Sequence, residues 1–214
     1  MRIPEHIGII PDGNRRWAQK KGLSKEKGYN QGLNPGLELF HLCKKIGIKE
    51  LSYYGFTMDN TKRPRKQTEA FSNACVKAVQ LLAKEDALLR VIGNTSSAKF
   101  PQELLKYTKR QQFGQGGIKL NFLVNYGWQW DLVNLYKRKK ISQKNINNYL
   151  KSNDVSKVDL IIRWGGRRRL SGFLPVQSVY ADFYVIDDYW PDFKPEHLYQ
   201  ALAWYDCQDI TLGG

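Results

Sequence analysis

Six short runs rich in β-branched and aromatic residues recur along the chain, separated by longer helix-compatible segments, and this alternation constrains the fold more than any other feature. The runs are "HIGII" (6–10), "LSYYGF" (51–56), "LLRVIG" (88–93), "KLNFLVNY" (119–126), "VDLIIRW" (158–164) and "DFYVI" (182–186). Between them lie "QGLNPGLELFHLCKKIG", "TEAFSNACVKAVQLLAKEDA", "PQELLKYTKRQQ" and "WDLVNLYKRKKISQKNINNYLK", whose apolar residues mostly recur at helical spacing. Strands that alternate with helices predict an α/β fold: a central, largely parallel six-stranded sheet flanked by helices. No internal repeat, low-complexity tract or linker divides the chain, so residues 1–214 are expected to form a single domain.

The polar clusters then fall at one place. "PDGNRRW" follows the first run, "TMDNTKRP" the second, "GNTSS" the third, "NYGWQW" the fourth and "GGRRRLSG" the fifth. All five sit at carboxyl ends of strands, the edge where open α/β sheets bind ligands.

Charge indicates the class of ligand. The net charge is +14, yet from Leu170 to Gly214 one Lys faces seven Asp or Glu, which leaves about +20 on residues 1–169. A local anion site fits that asymmetry better than a uniformly basic surface. Three widely spaced cysteines, Cys43, Cys75 and Cys207, form neither a disulfide framework nor a zinc motif, and His6, His41 and His197 lack metal spacing. No apolar run approaches the roughly 18 residues of a spanning helix, and "MRIPEHIGII" is too short for a signal peptide, so a cytoplasmic location is expected.

In "PDGNRRWAQKKG", Gly13 permits a tight turn, the following helix offers N–H groups, and Arg15 and Arg16 add charge-assisted contacts suited to phosphate oxygens. Asp12 would repel such a ligand unless a Mg²⁺ ion bridged the two. "GFTMDNTKRP" offers Thr57, Asp59, Asn60, Lys62 and Arg63, and alone reads as an ordinary capped turn. In "IIRWGGRRRLSGF", Arg163, Arg167, Arg168 and Arg169 crowd a Gly-Gly pair, a repulsion that an arriving anion relieves. Neither the G-x-x-x-x-G-K-[ST] loop nor the G-x-G-x-x-G fingerprint occurs.

Taken together, "HIGIIPDGNRRWAQKKG", "YYGFTMDNTKRP", "VNYG", "DLIIRWGGRRRLSGF" and "VYADFYVIDDYWPDF" resemble the cis-prenyltransferases, the undecaprenyl diphosphate synthase family, in the family's order over residues 6–193. The resemblance implies condensation of an allylic diphosphate with isopentenyl diphosphate, release of pyrophosphate and dependence on Mg²⁺. It also implies a homodimer, and an apolar tunnel between sheet and helices, for which residues 70–83 are the best lining. Asp12 matches the metal aspartate. Gly13, Asn14, Arg15 and Arg16 would cradle the allylic diphosphate with Trp17 packing beneath, and Lys25, Tyr29, Thr57, Asp59 and Thr61 complete the substrate-binding set. Arg163, Arg169 and Ser171 match the site of the second diphosphate, Asn60 and Arg63 the residues that orient substrates and assist proton removal, and Asp182 the second metal carboxylate.

The departures are specific. Tyr29 stands in place of a His, Pro11 of a Met, Thr61 of a Trp, Arg167 of an acid, Trp128 and Gln129 of Gly-Arg, and Thr211 of a terminal Arg. Residues 65–92 and 127–157 are shorter than in long-chain members, which predicts a short prenyl product. Three alternatives stay open: head-to-middle coupling of two allylic diphosphates, a non-catalytic partner subunit, and a nucleic-acid-binding module. The last is disfavoured because the basic clusters mark one sheet edge and do not interleave with aromatics over an exposed face. "KRKK" (137–140) reads as a solvated helix face or a patch for peripheral contact with an anionic membrane.

Overall fold

A computed structural model describes residues 2–137 and 143–209; Thr211 and most of "KRKK" lie outside the described residues. Strands β1 (His6–Ile10), β2 (Glu50–Tyr54), β3 (Ala87–Ile92), β4 (Gln111–Phe113), β5 (Ile118–Leu123), β6 (Leu160–Arg163) and β7 (Asp182–Val185) form one seven-stranded sheet in the order β4-β3-β5-β2-β1-β6-β7. All pairings are parallel except β3 with β4.

The seventh strand corrects the expected six. β4 is three residues long, exposed and polar at a sheet edge, so it carries no apolar run to announce it. Its segment was expected to be helical through residue 112; a 3₁₀ helix over Gln102–Tyr107 takes only the first half.

Helices α1 (Asn14–Lys20), α2 (Lys27–Gln31), α3 (Leu33–Ile46), α4 (Arg65–Leu82), α5 (Trp128–Leu132) and α6 (Pro195–Asp206) complete the fold. One sheet face carries Ile7, Ile9, Leu51, Leu89, Leu120 and Ile162 against Leu39 and Phe40 of α3, Val79 and Leu82 of α4 and Leu198 and Leu202 of α6. Strand residues one position out of phase face the other way, as the two-residue side-chain period requires. There Ile10, Tyr54, Leu123 and Ile161 pack on Tyr126, Val155, Phe173 and Leu174.

Toward the amino ends of the strands that second face is polar, which a reading of apolar runs does not reveal. The Asn121 amide donates to Glu50 (2.7 Å) and Ser52 (2.9 Å), and Ser52 Oγ meets His6 Nε2 at 2.8 Å. Arg110 bonds to Asn121 and to Asp154, the latter at 2.8 Å, so these buried groups are partnered at the cost that burial imposes.

Chain direction fixes where a ligand can enter. From β1 the chain crosses to β2 on one side, whereas β6, on the other side of β1, leads away to β7. The connection after β1 packs on one sheet face through Leu39 and Phe40 and that after β6 on the other through Phe173 and Leu174, which leaves a crevice at the carboxyl edge, a topological switch point.

Candidate active site

A cavity of about 640 Å³ occupies that crevice. Four of the five polar clusters line it; "GNTSS" after β3 does not, and β3 is separated from β1 by two strands, β5 and β2.

The loop after β1 is held in shape from behind. Gly13 has φ 104°, a left-handed conformation that disfavours a Cβ, and a Cβ there would lie 2.7 Å from the Tyr189 ring. Trp190 N–H donates to the Asp12 carbonyl at 3.0 Å, and Trp17 Nε1–H donates to Asp192 at 2.7 Å. The "YWPDF" motif thus buttresses the loop, and Trp17 serves it from outside the cavity wall.

Asp12 is the meeting point of the site. One carboxylate oxygen accepts from Gly13 N–H at 2.6 Å; the other accepts from Arg163 Nη2 at 2.8 Å and lies 3.5 Å from Arg16. Burial raises its pKa, but the Arg163 hydrogen bond and charge, with Arg16, outweigh that and hold the carboxyl below its ordinary value. Arg163 also donates to Ser171 Oγ at 3.0 Å and to the Arg169 carbonyl. Ser171 adopts φ 53°, strain that is common where a side chain must face a ligand.

The second loop closes the opposite wall. Thr57 and Asn60 exchange hydrogen bonds in a capping box, 3.0 Å and 3.3 Å, which fixes the Asn60 amide. Arg63 donates to the Tyr29 hydroxyl at 3.2 Å, and the Tyr29 ring stacks on Phe71 at 4.5 Å and 6°. Burial pushes the Tyr29 phenol up, against the opposing charges of Arg63 and Arg15, so it stays protonated at neutral pH.

Most of the expected residues therefore converge. Asp12, Gly13, Asn14, Arg15, Arg16, Lys25, Tyr29, Thr57, Asp59, Asn60, Arg63, Arg163, Arg169 and Ser171 all line the cavity. Thr61 does not; its hydroxyl donates to the Met58 carbonyl, turned into its own 3₁₀ turn. Asp182 is also elsewhere. It opens β7 opposite Leu160 at the amino edge of the sheet, with Arg2 at 3.7 Å, whereas Asp12 follows the carboxyl end of β1. Within one chain Asp182 is not a second carboxylate beside Asp12, because it is the first residue of its strand, whereas Asp12 follows the last residue of β1.

Gln19 and Tyr54 line the cavity too, outside the expected set, and so does Phe71, which belongs to the segment 70–83 expected to line the apolar substrate space. Tyr54 sits inside an apolar strand run, and nothing local marks it as a wall residue.

Beside residues 70–83, the segment expected to line an apolar tunnel, a cavity of about 50 Å³ lies between α3 and α4 and shares only Pro11 with the larger one. One α4 stripe serves both roles: Val79 is core, Phe71 faces the large cavity, and Ala78 and Leu81 line the small one.

A divalent cation fits here only as a guest shared with a ligand. No group of three or more His, Cys, Asp or Glu suited to a metal occurs among the described residues, and Asp12 supplies one hard carboxylate. That suits Mg²⁺, which keeps several waters and binds through one or two carboxylates plus phosphates.

Residues 10–213 match the family described as "Putative undecaprenyl diphosphate synthase". The chain belongs to that family. The "Ditrans,polycis-undecaprenyl-diphosphate synthase ((2E,6E)-farnesyl-diphosphate specific)" of Aliivibrio fischeri is 31% identical over 99% of this chain and 89% of its own length. The "Isoprenyl transferase" of Clostridium tetani is 34% identical over 99% and 90%. Among solved structures, lavandulyl diphosphate synthase from Lavandula x intermedia, in complex with dimethylallyl diphosphate, superposes with TM-score 0.87 at 24% identity, covering 99% and 98%, a likeness of fold. In this undecaprenyl diphosphate synthase relative, the carboxylate, the arginine-rich walls and the switch-point crevice all belong to one site.

Proposed function

We propose that the chain transfers a prenyl group from an allylic diphosphate to isopentenyl diphosphate, forming a cis-prenyl diphosphate of short chain length. The observation that carries this is one cavity lined by two sets of polar and cationic side chains from different parts of the chain, Arg15, Arg16, Lys25 and Arg63 in one and Arg163, Arg167, Arg169 and Ser171 in the other, which meet at Asp12, bonded to Arg163 at 2.8 Å and 3.5 Å from Arg16.

The arrangement suits the reaction's charge balance. The C1–O bond of the allylic substrate breaks and pyrophosphate leaves with the electron pair. C1 bonds to the terminal alkene carbon of isopentenyl diphosphate, which leaves a tertiary cation at C3, and a proton is then lost from C2, the carbon between that cation and the diphosphate-bearing CH2, so that the new double bond lies between C2 and C3. Arg15, Arg16, Lys25 and Arg63 neutralise the charge that develops on the leaving group, a preorganised stabilisation that costs no solvent reorganisation. Arg163, Arg169 and Ser171 anchor the second diphosphate so that its alkene lies near C1. Asn60 and Arg63 orient the two and assist proton removal. Asp12 would hold a Mg²⁺ ion shared with the substrate, and the bound ion would supply further charge neutralisation.

The small cavity between α3 and α4 supports a short product, since it leaves little room for a growing chain. The same reading carries a cytoplasmic homodimer with peripheral membrane contact; exposed Val179 and Tyr180 offer an apolar surface for a second copy.

The test is mass spectrometry of products formed with Mg²⁺ and dimethylallyl, geranyl or farnesyl diphosphate, each with and without isopentenyl diphosphate. A short linear product that requires isopentenyl diphosphate is expected. Product formed without it establishes head-to-middle coupling instead, and no product from any pair overturns prenyl transfer.

A further inference from the structure

We propose that Trp128 is a specificity-determining residue for the second prenyl diphosphate, its indole forming the wall on which the hydrocarbon of that five-carbon substrate packs. The inference rests on the prenyl-transfer reading above.

Each anion-binding wall of the cavity has an aromatic surface beside it. Next to Arg15 and Arg63 it is the Tyr29–Phe71 stack. Next to Arg163, Arg169 and Ser171 it is Trp128, the first residue of α5, with Tyr54 behind it. Trp128 is 44% exposed although it lines a cavity, whereas Trp164 and Trp190, which act as packing residues, are 0% and 3% exposed. A large ring left half open at an arginine-lined wall is placed for a ligand and does little for the core.

Its position is set by the turn that carries the second anion subsite. Gly172 has φ 80°, and a Cβ there would lie 2.8 Å from Trp128 Cδ1 and 3.6 Å from the Tyr54 hydroxyl. The indole therefore lies directly against the backbone that follows Ser171. Ser171 Oγ accepts from Arg163 at 3.0 Å, and its carbonyl accepts from Tyr54 at 2.7 Å. A hydrocarbon tethered to a diphosphate on Arg163, Arg169 and Ser171 starts within reach of the indole. The ring's face suits both an apolar group and positive charge arriving at the adjacent carbon. Its rigidity also limits how long a tail the second subsite accepts.

The experiment compares wild type, Trp128→Ala and Trp128→Phe by steady-state kinetics in both substrates, with inorganic pyrophosphate binding measured by calorimetry. In Trp128→Ala, KM for isopentenyl diphosphate should rise about tenfold, equivalent to about 1.4 kcal/mol of lost apolar contact. KM for the allylic diphosphate and pyrophosphate affinity should stay within about twofold, and Trp128→Phe should recover most of the loss. An active Trp128→Ala whose two KM values are unchanged, or change together, overturns the inference alone. So does a matching fall in pyrophosphate affinity, which would assign Trp128 to holding the Ser171–Gly172 turn. A wild type that turns over no prenyl pair overturns the prenyl-transfer reading, and the inference with it.

Discussion

Arg163 and Asp12, at and just beyond the carboxyl ends of the adjacent strands β6 and β1, meet at 2.8 Å, and the pair joins the loops that follow those strands. The Arg163 side chain is 4% exposed and Asp12 33%, so the arginine depends on this carboxylate while the carboxylate still faces the cavity. Arg163 Nε is buried without a protein partner, which adds to that dependence.

Asp12→Ala removes the carboxylate common to both walls. Turnover should fall about 10²- to 10³-fold, the scale at which one preorganised charge contact acts. Stability should fall by about 1–2 kcal/mol, less than for a fully buried pair because a third of the Asp12 side chain is exposed. Initial rates and thermal unfolding of the same preparation separate the two effects. Because the Asp12 pKa is lowered in the folded state, its contribution to stability is complete above the unfolded value of about 3.9 and fades only as pH falls through the folded one. A loss of activity near pH 6 is therefore not expected from Asp12.

Tyr29→Phe keeps the ring that stacks on Phe71 and deletes the hydroxyl that accepts from Arg63. KM for the allylic diphosphate should rise about three- to tenfold as Arg63 loses its anchor, with kcat within about twofold. An equal rise in the KM of isopentenyl diphosphate would place Tyr29 between the subsites and not at the first.

How much was legible in the sequence follows from what each feature looks like locally. The strands β1, β2, β3, β5, β6 and β7 were readable because each is a short apolar run, and the carboxyl ends of β1, β2 and β6 were readable because the polar clusters that hold Asp12, Asn60 and Arg167 follow those runs. Tyr54 was not, since a cavity wall and a core present the same side chain. Where Asp182 lies was not legible either: it begins its strand, and parallel pairing with β6 carries it, within one chain, to the edge away from Asp12. The His6–Ser52–Asn121–Glu50 network was also invisible, because scattered polar residues inside apolar runs give no sign that they meet across three strands.

That network makes stability depend on pH. His6 is 1% exposed, and burial lowers its pKa more than nearby Glu50 and the Lys157 and Ser156 carbonyls raise it. Below the unfolded value of about 6.5, the unfolded chain takes up a proton that the folded chain refuses. Stability from this group should fall as pH drops below about 6.5, by at most about 1.4 kcal/mol per pH unit, and level off once folded His6 is protonated. Denaturant unfolding between about pH 5 and 8 measures the slope, and His6→Gln should flatten it.

Product length provides the most direct test of the cavity between α3 and α4. Leu81 is half-buried and lines it with Ala78, Leu82, Phe122 and Trp190. Leu81→Ala removes side-chain volume at the cavity wall and costs about 2 kcal/mol or less, since the site is not fully enclosed. If the growing chain extends into this space, the main product should lengthen by one isoprene unit while KM values for both substrates hold steady. A product of unchanged length from a stable, active Leu81→Ala would mean that chain growth ends in the large cavity itself, where the Tyr29–Phe71 stack forms one wall.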